Sequence, residues 1–387
     1  MLWRLAASSA VIAALALAAL PARPARSPRY GGTLRVEIGP SVGSIDPNAS
    51  AVTADEAAAK REIESLIYEK RNADGSLAGV AGSGPFRISE WEPGKELVLA
   101  ANDDFSGGRP FVDSVEIDMG RSVHDRLVDL ELGRTDFSEI PAEDARQAAT
   151  RGVRITASPP DELIAVIFLP GHPAVDDARV REAIASSINR AAIVDFILQK
   201  EGEPAGGLLP QWSSGTAFLF ATDADVTHAK ELRTQISGSP QIRLGYDSGD
   251  SLEESIAERI AVDAHEAGLA VATGTNAAAQ RDDARLVRLR MGSPQPGSAL
   301  AGFLGEFDSL AGLHTVAVSD ASSAEQVYDA ERAALEGCRI VPLVWLPRVY
   351  GLSDRVRDWQ PPTIGQSWPL ADVWLDTGAG SSGGKQN

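Results

Sequence analysis

The chain has 387 residues, enough for two domains of ordinary size, and its 36 basic and 54 acidic residues give a formal net charge of -18. A charge of that sign argues against nucleic acid as a partner, because phosphate binding needs basic side chains. The single cysteine, Cys338, excludes an internal disulfide; beside the apolar pair Ile340-Val341 it is expected to be a small buried hydrophobe.

Residues 1–26 have the pattern of a secretory signal peptide. Arg4 precedes an apolar run from Leu5 to Leu20, which is shorter than the roughly 20 residues that span a bilayer. No cysteine follows the run, so attachment to a lipid is not expected. We predict export to the periplasm with cleavage of this segment; an uncleaved membrane anchor is the alternative.

The pattern of residues 30–119 predicts one strand, then one helix, then three more strands. A strand is expected at Thr33–Ile38, and Thr53 or Asp55 is suited to cap a helix that ends near Tyr68. An antiparallel meander should follow the glycine turn at residues 82–84. Its three strands are expected at Phe86–Trp91, Glu96–Ala101 and Val112–Met119.

The particular residues of the meander are more informative than its alternation of apolar and polar positions. It reads GSGPF, a strand, WEPG, a second strand and NDDFSGGRPFVD, and it resembles the periplasmic peptide-binding proteins of ABC transporters. These form the dipeptide/oligopeptide/nickel class, family 5 of the extracellular solute-binding proteins. The matching positions are Gly82, Gly84, Pro85, Phe86, Trp91, Pro93, Gly94, Asn102, Phe105, Gly108, Arg109, Pro110, Phe111 and Asp113.

The first lobe departs from that family after residue 69. Members of the family usually continue there into a second, smaller subdomain, whereas this chain has only Lys70–Ala81 before the glycine turn. A dozen residues cannot form a domain, since independent cores need about 50 residues. A natural deletion is the preferred explanation, and a decayed gene or a faulty gene model is the alternative.

The later elements also follow the family. The expected strands are Val153–Ala157, Leu163–Leu169, Gln241–Tyr246, Leu269–Ala272 and Arg285–Met291. The expected helices are Val123–Leu132, Glu143–Thr150, a pair within Val175–Leu198, Val226–Ile236, Leu252–Ala267 and Ala324–Glu336. The strand–helix–strand unit over residues 241–272 predicts a right-handed crossover between parallel strands.

A second departure concerns ligand recognition. The family usually has an aspartate-bearing loop that binds the amino terminus of the peptide at the position of Gly292–Phe307. This segment has no acid before Glu306. The segment therefore lacks the acid that makes the usual contact.

The resemblance implies an α/β fold of two lobes, in the type II peptide-binding class, with mixed sheets and hinge crossovers near Leu163–Leu169 and Pro342–Leu352. The first lobe should combine residues 30–160 and 349–377, and the second lobe should span residues 161–348. Residues 378–387 are Gly/Ser-rich and are expected to form a disordered tail.

The implied function is that of the extracytoplasmic binding component of an ABC transporter. Such a protein, expected as a monomer, closes its lobes on a peptide or similar small solute and delivers it to a membrane permease. The alternative is a degenerate relative that no longer transports and serves as a scaffold or interaction protein. Both departures affect ligand enclosure, which is what such a loss would change.

A few residues are expected to contact the ligand. Ser50 and Ala51 match the place where the family's first lobe meets the ligand backbone. Phe168 lies at the predicted crossover, Trp212 in a second-lobe loop, and Arg290 at the end of a strand, where it could meet a ligand carboxylate.

Enzymatic chemistry has no support in the sequence. The five histidines are isolated, no nucleophile elbow is present, and the many acidic residues identify no general acid. We therefore expect no catalytic residues, no metal and no cofactor.

Overall fold

A computed structural model describes residues 27–51, 53–68, 82–214, 221–276, 282–312 and 317–376. The predicted signal peptide, the segment Lys70–Ala81 and the predicted tail lie outside these residues. Within the described part of the chain, no helix is long and apolar enough to cross a bilayer.

The elements before residue 158 are β1 (Thr33–Glu37), α1 (Ala54–Ile67), β2 (Phe86–Glu92), β3 (Glu96–Ala101), β4 (Ser114–Asp118), α2 (Val123–Glu131), β5 (Phe137–Ile140), a 3₁₀ turn (Ala142–Asp144), α3 (Ala145–Thr150) and β6 (Arg154–Ala157). Thr53 caps α1, its side chain accepting a hydrogen bond from the Glu56 N–H, as the sequence predicts.

The elements of residues 162–346 are β7 (Glu162–Phe168), α4 (Pro173–Asp176), α5 (Ala178–Ser187), α6 (Arg190–Ala192), a π turn (Ile193–Ile197), β8 (Glu203–Pro204), α7 (Gln211–Ser214), α8 (Val226–Gln235), β9 (Gln241–Tyr246), α9 (Ser251–Glu266), β10 (Ala270–Thr275), β11 (Ala284–Arg290), α10 (Pro296–Ala311), α11 (Ala324–Leu335), a 3₁₀ turn (Glu336–Cys338) and β12 (Ile340–Leu346). The last elements are β13 (Val349–Leu352), β14 (Val356–Arg357), a 3₁₀ turn (Leu370–Asp372) and β15 (Trp374–Leu375).

The first large sheet has seven strands in the order β2-β3-β4-β1-β5-β13-β6. Strands β2, β3 and β4 pair antiparallel, which confirms the predicted meander. Strand β1 runs parallel to β4 and β5, so the sheet is mixed.

The second large sheet has six strands in the order β10-β9-β11-β7-β12-β8. Strand β9 precedes α9 in the chain and β10 follows it, and the two strands pair in parallel. This confirms the predicted strand–helix–strand unit. Strand β7 is central and pairs antiparallel with β11 and β12. The two sheets come from different stretches of chain and give the two-lobe α/β architecture that the sequence predicts.

The chain passes between the two sheets at residues 158–161 and again at residues 347–348. These passages lie side by side: the Ser158 N–H donates to the Arg348 carbonyl at 2.9 Å, and the Arg348 N–H donates to Ser158 Oγ at 3.0 Å. Two adjacent extended segments joined in this way form a compact hinge between the sheets.

The glycine turn before β2 packs directly against the end of α1. The N–H groups of Gly82 and Gly84 both donate to the Ile67 carbonyl, at 3.1 and 2.9 Å. A Cβ on Gly84 would lie 2.6 Å from the carbonyl carbon of Ile67, so only glycine fits. The side chain of Asn102 donates to the carbonyls of Gly82 and Gly84, which explains why these motif positions occur together.

The segment Gly292–Phe307, which we expected to be a loop, is helical from Pro296 onward, within α10. Pro296 is suited to the first turn, and Leu300, Phe303, Leu304 and Phe307 recur at helical spacing and are buried. The segment therefore forms part of the second lobe's core.

Candidate functional site: the cleft between the sheets

A group of charged and polar side chains lies where the two sheets approach each other beside the hinge. We call it the cleft cluster. Its members are Glu62, Glu139, Asp161, Glu162, Arg290, Arg348 and Tyr350. They come from α1, from β5, from the first passage of the chain with the start of β7, from β11, and from the second passage with the start of β13, so the fold brings together five distant stretches.

The second sheet contributes an acid between two arginines. Arg290 lies opposite Glu162 in the β11–β7 ladder, and Arg288 projects from the same face as Arg290 two residues earlier. Arg288 Nε lies 2.8 Å and Arg290 Nε 3.3 Å from Glu162 Oε1. Burial alone would raise the pKa of Glu162, but the two guanidinium groups outweigh burial and hold the pKa below its usual value.

The first sheet contributes Glu139 and Tyr350, which face each other on β5 and β13. Arg290 Nη2 lies 3.0 Å from Glu139 Oε1, so this arginine joins the second sheet to the first. Attraction by Glu139 and then by Glu162 raises the pKa of Arg290. The side chain of Arg290 is 39 % exposed, so the cleft cluster reaches solvent at this point.

The hinge contributes Asp161 and Arg348. Arg348 Nε donates to Asp161 Oδ2 at 2.9 Å, while Asp161 Oδ1 is buried without a hydrogen-bond partner among the described residues. Asp161 is only 3 % exposed, and burial raises its pKa to about 6 despite Arg348. An unpartnered buried carboxylate oxygen is costly, so Asp161 is a destabilising element of the hinge unless a further donor reaches it.

Aromatic rings form a wall beside these charges. The ring of Tyr350 packs against Trp359 with centroids 4.7 Å apart and stacks on Phe137 at 5.6 Å. The hydroxyl of Tyr350 and Nε1 of Trp359 are buried, and neither has a hydrogen-bond partner in the part of the chain described. Burial, with a further contribution from Glu139, raises the pKa of Tyr350. The hydroxyl is therefore neutral and able to donate or accept.

Helix α1 contributes Glu62. Its Oε2 accepts a hydrogen bond from the Trp368 N–H at 2.8 Å. Burial raises the pKa of Glu62 to about 7, although that hydrogen bond and Arg348 oppose the shift. Asp55 lies two turns earlier on the same helix, and its negative charge also attracts Arg290. One face of α1 is therefore directed at the cluster.

The structure brings two of the predicted ligand residues to this region. Arg290 is a member of the cluster. Trp212 lies near it, because its Nε1 donates to the Pro160 carbonyl at 3.0 Å, next to Asp161, while its ring is 46 % exposed. Ligand contact by either residue stays a prediction, and a ligand carboxylate at Arg290 would compete with Glu139 and Glu162.

The other predicted ligand residues are Ser50, Ala51 and Phe168. Ser50 is exposed and Ala51 half-buried in the segment before α1, whose preceding turn is held by Lys60 through the carbonyls of Asp46 and Ala49. Phe168 is 1 % exposed, in the core at the far end of β7 from Glu162. Six residues of strand separate those two positions, about 20 Å. The structure does not bring Phe168 to the cleft cluster.

Sequence reasoning missed most of the cluster, although signals were present. Asp161 and Glu162 are two acids immediately before a fully apolar strand, an unusual position for charge. Arg348 and Tyr350 lie in the segment Pro342–Leu352, for which the sequence predicted a crossover and no ligand site. Trp345, Trp359, Trp368 and Trp374 are buried, and Cys338 is buried as predicted.

Two lobes joined by a double hinge, with charged and unpartnered polar groups between them, define a two-lobe binding protein. The chain belongs to the bacterial extracellular solute-binding proteins of family 5, because the family's middle model matches residues 42–293. This confirms the family that the motifs around Gly84 and Asn102 predicted, and with it the type II two-lobe class of fold.

Individual relatives agree with this assignment. The chain is 30 % identical over 146 residues to the oligopeptide-binding protein AppA of Bacillus subtilis; the alignment covers 38 % of this chain and 26 % of AppA. Its sequence match therefore spans about a quarter of that relative's length.

Solved structures agree over a longer range. The ABC transporter substrate-binding protein CtaP of Listeria monocytogenes superposes with a TM-score of 0.74 at 15 % identity, over 90 % of this chain and 100 % of that chain. The structure of Bacillus subtilis AppA in complex with a nonapeptide gives a TM-score of 0.62 at 14 % identity, with the same coverage. At these identities the likeness establishes the fold.

Proposed function

We propose that this protein is the extracytoplasmic binding component of an ABC transporter and that it holds a peptide or similar small solute between its two lobes. The cleft cluster is the single observation that carries the proposal. Arg290 bridges the sheets, and Asp161, Tyr350 and Trp359 offer buried polar atoms without partners among the described residues in the same region. A ligand that satisfied those atoms would bind the closed state more tightly than the open one, and closure follows from that difference.

The two lobes of this proposal are residues 30–160 with 349–377, and residues 161–348. They meet at the hinge formed by Ser158 and Arg348, where paired backbone segments allow rotation without breaking either sheet. We assign ligand contact to Arg290 and Trp212 at the opening of the cleft and to Ser50 and Ala51 before α1. Phe168, in the core, acts as a packing residue of the lobe that closes.

The role in the cell follows from the family. The protein reaches the periplasm through the cleaved signal peptide, performs no bond chemistry, and presents its closed form to a membrane permease. The relative AppA is named as an oligopeptide-binding protein and its structure holds a nonapeptide, which supports peptide as the ligand class. The shortened segment after residue 69 favours a shorter peptide, because less protein is available to enclose it.

Thermal unfolding in the presence of a library of two- to nine-residue peptides tests this function. A ligand that binds only the folded state stabilises that state by RT ln(1 + L/Kd), with L the free ligand concentration, and so raises the melting temperature. We expect a rise for a subset of short peptides, and the same peptides should shorten the distance between labels placed on the two lobes. Absence of both effects across the library would instead support a scaffold that no longer transports.

A further inference from the structure

A short segment near the end of the chain leaves the first lobe, enters the core of the second lobe and returns. Its two ends belong to the first lobe, because the rings of Trp359 and Trp368 are both buried there against Phe137. The Trp368 N–H also donates to Glu62 of α1. Between these ends, Ile364 is only 8 % exposed and lies in the apolar cluster of the second lobe.

The tip of this segment is a four-residue turn, residues 363–366, which we call the inserted turn. The Gln366 N–H donates to the Thr363 carbonyl at 2.9 Å, and Gly365 has a φ of 75°, the left-handed value that a type II turn needs at its third residue. A Cβ built on Gly365 would lie 3.7 Å from Pro294 Cδ, so the turn packs against the segment that follows β11.

The inserted turn is an apolar link between the lobes. Ile364 belongs to the same buried cluster as Met291 and Trp345 of the second lobe. The polar link, the ion pair of Arg290 with Glu139, has side chains about one-third exposed, so solvent and salt weaken it. Burial of an isoleucine side chain is driven by removal of apolar surface from water and is not screened by salt.

The tethers of the inserted turn are short. Ile364 follows Pro362 by two residues, and the Pro362 carbonyl accepts a hydrogen bond from Arg348 Nη2 of the hinge at 3.3 Å. On the other side, Trp368 is four residues away. Because so few residues have little reach, the tip moves with the first lobe. A rotation that parts the lobes therefore withdraws Ile364 from the second lobe and exposes its side chain to water.

We propose that Ile364 is a latch between the lobes: its insertion into the second lobe stabilises the closed form, and its withdrawal accompanies opening. The latch acts on the affinity for a ligand without contacting the ligand, because apparent affinity falls with the fraction of protein in the binding-competent form. Loss of the latch should thus weaken the binding of different peptides by the same factor. The statement on affinity rests on the proposed binding function, whereas the latch itself concerns the two lobes alone.

Distances between spin labels test the latch. The labels replace the exposed residues Asp104 of the first lobe and Lys230 of the second, in a chain whose single cysteine is removed by Cys338→Ser. Ile364→Ala should lower the ratio of closed to open protein about tenfold, because three buried methyl or methylene groups are lost from the contact. Ile236→Ala is the matched control: Ile236 is 7 % exposed, within the core of the second lobe, so its loss should lower stability and leave the distances unchanged.

A second pair of variants retains Ile364 and changes the geometry of the turn. Gly365→Val should open the lobes, because a β-branched residue rarely adopts a positive φ. Gly365→Asn should leave the distances close to those of the unaltered turn, since asparagine tolerates the left-handed conformation. Raising the salt concentration from about 0.1 to about 1 M should leave the effect of Ile364→Ala in place and diminish that of Glu139→Gln.

Unchanged distances in Ile364→Ala and Gly365→Val proteins that circular dichroism shows to be folded would overturn the latch, and the inserted turn would be static packing. Peptides that lose affinity by widely different factors in Ile364→Ala would overturn its uniform effect on binding. If no library peptide binds the unaltered protein, the proposed function fails, while the label distances still decide whether Ile364 holds the lobes together.

Discussion

Arg290 and Glu139 belong to different sheets, and their side chains form an ion pair with Nη2 and Oε1 3.0 Å apart. Arg290 also contacts Glu162 of its own sheet, so one guanidinium group spans both sides of the cleft. The pair therefore joins the two sheets across the cleft. A binding protein of this kind balances open and closed forms, and the ion pair favours the closed form.

Replacing Glu139 with glutamine should therefore shift the balance toward the open form. Both side chains are about one-third exposed, so solvent screens the pair and we expect a change of at most about 1 kcal/mol, a few-fold in the populations. Distances between spin labels on the two lobes measure this. The control is Glu131→Gln, which removes an ion pair with Arg151 within the first lobe. An unchanged distance distribution in Glu139→Gln would show that the pair does not hold the lobes.

The hinge pair should show strong energetic coupling. Arg348→Gln leaves Asp161 buried without its partner, and such a loss typically lowers the free energy of unfolding by about 3–5 kcal/mol. Adding Asp161→Asn removes the uncompensated charge, so the double variant should recover part of that stability. Urea unfolding of the two single variants and the double variant measures the coupling. Simple additivity would mean that the two residues act independently.

Gly84 should tolerate no side chain. A Cβ there would lie 2.6–2.7 Å from backbone atoms of α1, which cannot move aside without breaking the helix end. We expect Gly84→Ala to lower the free energy of unfolding by several kcal/mol, on the order of a severe overpacking variant. Gly302→Ala is the control, because that glycine lies within α10 and a methyl group on it would meet no other atom within 4 Å. It should be neutral or stabilising by up to about 1 kcal/mol.

The stability of the protein should fall between pH 4.5 and 7. Burial raises the pKa of Glu62, Glu253 and Glu331 from 4.5 to about 7. In that range the folded protein holds protons that the unfolded chain has released, so stability is greatest below the unfolded pKa and declines as pH rises to the folded pKa. Asp161 acts in the same direction over the range from 3.8 to about 6.

Denaturant unfolding at several pH values measures the contribution of Glu62. Glu62→Gln should weaken the decline, while Glu90→Gln, on the exposed part of β2, should leave it unchanged. Stability that rose with pH in this range, or a decline unaffected by Glu62→Gln, would contradict the burial of that carboxyl group.

Local sequence signals predicted most of the elements. The bounds of β3 and β9 match the expectation, and the cap at Thr53 is formed as predicted, because alternation and capping depend on neighbouring residues. The segment at Gly292–Phe307 was misjudged because comparison with a family loop outweighed its own helical spacing of apolar residues. The segment is helical because this conformation buries Phe303 and Phe307 in the core of the second lobe.

The cleft was harder to predict than the fold. Arg290 was named for its place at a strand end, but its partner Glu139 lies in another sheet, and no local pattern indicates such a pair. Phe168 was named from the position of the crossover. The passage between sheets in fact precedes Glu162, so Phe168 lies a strand's length away. Contacts between distant segments depend on hinge geometry, which one sequence does not specify.

Native mass spectrometry of the protein purified from its own host tests the central claim, that the cleft binds a peptide, most directly. We expect a population with an added mass that mild activation releases as short peptides. A folded protein that is always empty, and that gains no mass when incubated with the same peptide library, would contradict peptide binding.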